Sequence, residues 1–197
     1  MSASDTAPGT PHAAPSMHPD LAEILIDEQT LQARITALAA DIRAGYNPDA
    51  VPILIAVLKG AFIFLADLTR QLGFLHEVDF MAVSSYGEGT TSSGVVRIIM
   101  DLERNITGRD VLIVEDIIDT GNTLSYLRRI LGDRGPRSLR ICTLLNKPSR
   151  RTVNVPVDYI GFDIPDRFVV GYGLDFAEKY RDLRYIGVLK PECYSTG

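Results

Sequence analysis

The stretch Val111-Leu112-Ile113-Val114-Glu115-Asp116-Ile117-Ile118-Asp119-Thr120-Gly121-Asn122-Thr123-Leu124 decides the fold of this chain. It opens with four apolar residues, Val111 to Val114. A short apolar run bounded by polar residues marks a strand buried on both faces, as in a parallel sheet. Glu115 and Asp116 follow at its carboxyl end, and Asp119 leads into the small polar turn Thr120 to Thr123. A helix-compatible segment then runs from Leu124 to Leu131. Strand, acidic tip, glycine turn and helix in that order place chemistry outside the carboxyl end of a strand, where open α/β sheets carry it.

The turn suits an anion. The first N–H groups of a helix have no internal partner and sit at the positive end of its dipole. Thr120, Gly121, Asn122 and Thr123 add hydroxyls and let the backbone approach closely, which makes a phosphate cradle. Three carboxylates beside such a cradle would repel a bare phosphate. A ligand that also carries hydroxyls, which donate to carboxylates, and a metal ion, which offsets charge, resolves the conflict. A phosphorylated sugar with Mg²⁺ meets that description.

The ten residues Val114 to Thr123 resemble the phosphoribosyl-diphosphate (PRPP) binding signature of the type I phosphoribosyltransferases. From about Leu25 to Lys190 the chain is similar to the hypoxanthine-guanine phosphoribosyltransferases. An acidic strand end before a helix cap is ordinary, because Asp is common at helix starts. The whole string in its strand–turn–helix setting is what carries the resemblance.

Composition fits this class. The length of 197 residues suits one α/β domain with a sizeable core, and 46% hydrophobic with 23% charged residues is ordinary for a globular protein. A net charge of −5 argues against general nucleic-acid binding and leaves any phosphate site dependent on local donors. Cys142 and Cys193, the two cysteines, support neither a disulfide framework nor a zinc site. His12, His18 and His76 are scattered. No apolar run approaches the ~20 residues of a bilayer span, and no signal-peptide pattern is present. The expected compartment is the cytoplasm.

Residues 1–19, rich in Ala, Ser, Thr and Pro, are expected to be a disordered tail. Residues 20–197 are expected to form the single phosphoribosyltransferase domain. A short strand over Ile24 to Ile26 precedes Asp27 as helix cap, then Leu31, Ile35, Leu38 and Ile42 recur at helical spacing up to Gly45. Pro52 to Leu58 repeats the buried-strand pattern, turns at Lys59-Gly60 and enters a helix from Ala61 to Leu72. Strands follow over Val78 to Ser84, Val95 to Met100, Ser138 to Leu145, Tyr159 to Phe162 and Arg184 to Leu189. Between the strands Val78 to Ser84 and Val95 to Met100 comes Ser85 to Gly94, with three glycines and a run of hydroxyl residues. A loop of that length over an active edge reads as a lid. Strands alternating with helices imply α/β architecture with a parallel sheet covered on both faces. The resemblance adds a small hood, from the N-terminal segment and about 148–197, and a flexible lid with Ser85 and Tyr86 as its recurring pair. It also implies a non-proline cis peptide at Lys59-Gly60.

The resemblance implies a purine salvage enzyme that moves the 5-phosphoribosyl group from PRPP to hypoxanthine, and to guanine, with Mg²⁺ as cofactor. Asp119, Thr120, Gly121, Asn122 and Thr123 would hold the 5′-phosphate, and Glu115 and Asp116 the ribose hydroxyls and metal. Lys59, Gly60 and Arg181 would face the pyrophosphate, and Asp175 would lie nearest a second Mg²⁺. Lys147 would donate to the 6-oxo group of the base, Phe168 would stack on its ring and the Val169 backbone would read its edge. Asp119 would accept the N7 proton. Asn122 stands where some members carry Lys, and Gly173 where some carry Ala. Homodimeric or homotetrameric assembly is implied, without nucleic-acid or membrane partners. Two other readings compete: a PRPP-sensing transcriptional regulator of the same fold, which would need a basic surface or an added domain, and a phosphoribosyltransferase for xanthine, adenine or a pyrimidine.

Overall fold

A computed structural model describes residues 17–47, 49–85 and 96–195, with Ser85 described in its backbone alone. The expected tail lies outside these residues apart from its last three, and the expected lid apart from the Ser85 backbone. Six strands form the main sheet: β2 (Ile53–Leu58), β3 (Glu77–Ser85), β4 (Val96–Met100), β5 (Asp110–Ile118), β6 (Ser138–Asn146) and β7 (Tyr159–Asp163), in the order β4-β3-β2-β5-β6-β7. All neighbours are parallel except β3 and β4, whose antiparallel pairing places β4 at the edge. A second, antiparallel sheet has the order β1-β9-β8, from Leu21–Ile26, Ile186–Leu189 and Val169–Val170.

Helix α1 (Glu28–Gly45) begins where expected: Asp27 accepts from the Thr30 backbone N–H at 2.8 Å. Its stripe of Leu31, Ile35, Leu38 and Ile42 is buried, as is that of α2 (Phe62–Leu72) through Phe64, Leu65, Leu68 and Leu72. Both helices pack on one face of the main sheet, in a cluster with Leu54, Leu112, Val114 and Cys142 that also takes in Ile26, Val169, Ile186 and Val188 of the small sheet. Helix α3 (Asn122–Gly132) covers the other face, packing Leu124, Leu127 and Leu131 on Ile53, Ile55, Val111 and Ile113. The strand alternation of period two thus sorts Val111 and Ile113 to one side and Leu112 and Val114 to the other.

Three expectations change. The central strand does not stop at Val114: Glu115 pairs with Thr143, Ile117 with Leu145 and Ile118 with Asn146, so the carboxylates lie within its last residues. The hood does not take in everything from about 148, because Tyr159–Asp163 pairs in parallel with β6 and completes the main sheet. The cis peptide is Leu58–Lys59, one bond before the expected Lys59–Gly60. The α/β class itself, a largely parallel sheet flanked by helices, is as expected. No described helix is long and apolar enough to cross a membrane.

Leu112 is wholly buried at the middle of β5, in the cluster shared by both sheets. Its truncation to alanine removes packing from α1, α2 and the sheet at once. Leu112→Ala is expected to lower unfolding free energy by ~2–5 kcal/mol, seen as a fall in the urea midpoint without a change of slope.

Candidate active site at the carboxyl edge of the sheet

Parallel pairing of β2 with β5, and of β5 with β6, brings three strand ends to one edge. These strand ends and the turns that leave them carry Lys59, Gly60, Glu115, Asp116, Asp119 to Thr123 and Lys147. A methyl group added at Gly60 would fall on the Asp116 carboxylate, and one added at Gly173 would fall on the Gly60 carbonyl. Three distant segments therefore meet so closely that a β-carbon at either glycine would force a neighbour to shift. Arg181 closes this group. Its Nη1 donates to the Gly173 carbonyl at 2.7 Å and its Nη2 lies 2.8 Å from Asp175 Oδ1. The Gly173 N–H in turn donates to the Arg181 carbonyl at 2.9 Å.

The carboxylates at the end of β5 are poorly partnered. Glu115 is buried, and its Oε2 has no hydrogen-bond partner among the described residues. Burial pushes its carboxyl well above the usual range, with the neighbouring Asp116 adding to the effect. Asp116 accepts from the Ile117 N–H at 2.8 Å. Burial pushes it up to about 6, against a pull downward from that N–H and from the Arg181 charge. Unpaired acceptors of this kind are costly unless a ligand supplies donors or a cation. Mg²⁺ takes few protein ligands and fills its shell with substrate oxygens and water. The free Glu115 oxygen beside Asp116 fits that habit. Among the described residues no cluster of three His, Cys, Asp or Glu side chains is arranged to hold a metal by itself. Asp175 fits less well, since Arg181 and the Glu178 N–H, the latter at 2.8 Å, already engage it.

The turn after β5 is built as a cradle. Gly121 takes φ +90° as the residue before α3, a left-handed conformation that favours glycine. An added β-carbon would stand 2.7 Å from the Val153 carbonyl. The segment after β6 lies against this turn: the Thr152 and Val153 N–H groups both donate to the Thr120 carbonyl at 3.0 Å. Asn122 offers its N–H to Thr120 Oγ1 at 3.4 Å, and the first N–H groups of α3 remain available.

A chain of alternating charge borders the cradle. Asp119 Oδ1 lies 3.2 Å from Arg150 Nε, which is 3.8 Å from Asp166 Oδ2, whose other oxygen is 3.6 Å from Lys147 Nζ. Lys147 is only 8% exposed, and its N–H donates to the Ile118 carbonyl at 3.0 Å. Val169 buries its side chain and pairs with Val188 in β8, the outer strand of the small sheet, so its second backbone edge faces away from that ladder. Phe168 stands next to it with its ring partly exposed. Lys59 turns outward and meets Glu178 Oε2 at 3.1 Å, and Glu178 also reaches Arg181 at 3.3 Å. Tyr86 lies outside the described residues.

Four residues here carried no role in the sequence reading. Glu178 bridges both candidate pyrophosphate cations, and its spacing of three from Arg181 was the available signal. Arg150 and Asp166 flank Asp119 and Lys147, and nothing local in their sequence announces that. Arg151 donates to the Asn146 side chain beneath the cradle.

The family model for the phosphoribosyl transferase domain matches residues 22–177. The chain is 53% identical over 191 residues to the hypoxanthine-guanine phosphoribosyltransferase of Mycobacterium avium, covering 94% of each. It is 55% identical over 166 residues to the hypoxanthine phosphoribosyltransferase of Escherichia coli K12, covering 84% of this chain and 93% of that protein. The crystal structure of a hypoxanthine phosphoribosyltransferase from Staphylococcus aureus superposes with TM-score 0.86 at 46% identity, covering 90% of this chain and 96% of the other.

The burial of Asp116 sets a sign for pH. Its folded carboxyl binds a proton more tightly than the unfolded chain does, near 3.8, so stability of the ligand-free protein falls as pH rises from about 4 through 6. Above 6 the ionised, half-buried form carries the full cost. Asp116→Asn is expected to raise the melting temperature at about pH 7.5 and to flatten this slope, by roughly 2–4 °C for each kcal/mol recovered. A variant that melts no higher than the parent would show that Asp116 is solvated.

Proposed function

The chain belongs to the phosphoribosyltransferase family, and we propose that it transfers the 5-phosphoribosyl group of PRPP to hypoxanthine, and to guanine, releasing pyrophosphate. One observation carries the assignment of its site: an unpaired, buried Glu115 oxygen beside Asp116, next to the open N-terminus of α3. Acceptors for hydroxyls and donors for a phosphate, a few residues apart, match a phosphorylated sugar.

In this reading the N–H groups and hydroxyls of Asp119 to Thr123 hold the 5′-phosphate. Glu115 and Asp116 accept from the ribose 2′ and 3′ hydroxyls, which removes the cost of leaving them unpaired. Gly60, with Lys59 and Arg181, faces the pyrophosphate, and Lys59 exchanges Glu178 for it. Glu115 and Asp116, with Asp175 as the carboxylate for a second ion, would hold Mg²⁺, which would supply charge neutralisation for the leaving pyrophosphate. Phe168 stacks on the purine, the outer backbone edge of Val169 meets its rim and Lys147 donates to its 6-oxo group. An adenine turns an amino donor toward that ammonium, so the pair is rejected. As N9 attacks the ribose carbon, Asp119 accepts the N7 proton, for which it must leave Arg150. We assign the protein to the cytoplasm.

A pyrophosphate-release assay with PRPP, Mg²⁺ and a panel of bases tests the whole reading. Hypoxanthine and guanine are expected to support turnover and adenine not to. In the same assay Asp119→Asn is expected to lower turnover ~10²–10⁴-fold with a smaller change in KM for PRPP. Lys147→Ala is expected to lose ~1.5–3 kcal/mol of 6-oxopurine binding and part of the discrimination against adenine. Unchanged base preference in Lys147→Ala would remove that residue from the site.

The proposed assembly is of two or four copies. Phe62 and Phe80 are exposed and line an open hollow with Leu58, Lys59, Glu178 and Arg181, an apolar face beside the site that supports self-association. Light scattering at micromolar concentration is expected to give the mass of two or four chains, and a monomer mass would reject this.

A further inference from the structure

Phe168 does not hold its ring alone. Tyr194, from the C-terminal helix α4 (Pro191–Tyr194), lies flat against it, with ring centroids 4.6 Å apart and planes 18° apart. Phe176 meets the same ring edge-on at 5.6 Å and 87°. These are the two favoured aromatic geometries, offset stack and edge-to-face. Phe168 nevertheless keeps 38% of its surface exposed. With one face under Tyr194 and an edge against Phe176, the opposite face is the one left for a planar ligand. The residue stands between Asp166, whose carboxylate is 3.6 Å from Lys147 Nζ, and the turn in which Gly173 packs on Gly60.

Tyr194 is held in place by the main chain. The Leu189 N–H donates to the carbonyl of Phe168 itself at 2.9 Å, and the Lys190 N–H donates to the Asp20 carbonyl at 3.0 Å. The Cys193 and Ser195 N–H groups close the helical turn on Lys190 and Pro191 at 3.0 and 2.8 Å. The side chain itself packs on Leu21, Val170, Tyr185 and Leu189, the cluster on the outer face of the small sheet.

We propose that Tyr194 is a positioning residue for the base: it backs the Phe168 ring and fixes the plane on which the purine stacks. A lone phenyl ring on a strand end is free to turn about its side-chain bonds, and stacking a base would then cost that freedom. A ring already clamped from behind and at its edge presents its free face at no such cost. This inference rests on the reading of Phe168 as the base platform.

Steady-state kinetics of Tyr194→Ala, Tyr194→Phe, Tyr194→Leu and Phe168→Ala, with hypoxanthine and PRPP varied in turn, test it. Tyr194→Ala is expected to raise KM for hypoxanthine about three- to tenfold, the range of an aromatic pair, and to leave KM for PRPP unchanged. Tyr194→Phe keeps the flat face and is expected to restore most of that loss. Tyr194→Leu keeps bulk without flatness and is expected to behave like alanine, so the phenylalanine–leucine pair decides the matter even where the alanine variant does not fold. Phe168→Ala must raise KM for hypoxanthine at least as far. If Phe168→Ala does so and the tyrosine variants do not, the ring needs no backing and the proposal fails. A fall in KM on losing Tyr194 would mean that the side chain obstructs the base, which also overturns it. An unchanged KM in Phe168→Ala would instead remove Phe168 from the base site.

Discussion

The structure turns on two adjacent carboxylates at the end of β5, Glu115 buried and Asp116 half-buried. A strand that is apolar on both faces is the most buried place the fold has, and Glu115 and Asp116 sit within its last residues. Neither is offset by a full ion pair: burial raises both, and Arg181 reaches Asp116 only as a nearby charge. Natural cores reserve such positions for sites where a ligand completes the set. The rest of the edge is arranged around that deficit: a helix N-terminus on one side, a glycine turn packed on Asp116 on another, and Arg181 between them.

The two sheets divide the labour of the proposed reaction. The main sheet holds most of the groups suited to sugar and phosphates, Glu115 and Asp116 within the end of β5 and the others on turns that leave parallel strands, while Arg181 comes from the segment between β8 and β9. The small sheet presents Phe168 and Val169, and it reaches the main sheet through the common cluster of Ile26, Val169, Ile186 and Val188 with α1 and α2. Tyr172 adds a polar tie. It is buried with φ +53°, and its hydroxyl donates to Asp67 of α2, which Gln32 of α1 also contacts at 2.9 Å. A turn whose middle residue is anchored this way carries Gly173 to Gly60 on one side and β8 on the other.

Much of this was legible in the residues, and the reasons differ from place to place. Val111 to Leu124 announced a buried strand, an acidic tip and a cradle because apolar runs, carboxylates and glycine turns are local signals. The N-cap at Asp27 and the stripe Leu31, Ile35, Leu38, Ile42 were legible for the same reason. The strand end at Ile118 was not. Glu115 and Asp116 look like a terminus by polarity, yet partner strand β6 continues beside them and keeps them in register. The place of Tyr159–Asp163 in the main sheet was hidden because a short strand does not state which sheet it will join. Arg150, Asp166 and Tyr194 were silent, since their partners lie far along the chain and only the fold brings them together. Glu178 was visible in the motif but not as a bridge, because Lys59 reaches it across 119 positions.

The contact among Asp116, Gly60 and Gly173 has a consequence for how this protein can change. At Gly60 its fit depends on a missing β-carbon, which would fall on the Asp116 carboxylate, so there is no gradual route of slightly larger side chains at that turn. Variation there is all or nothing. The proposed base end is different in kind: Lys147 meets Asp166, and Phe168 meets Tyr194, through side chains whose size and polarity can be altered in small steps. Drift at the proposed base end is therefore open to this scaffold, while the turn at Gly60 is held fixed.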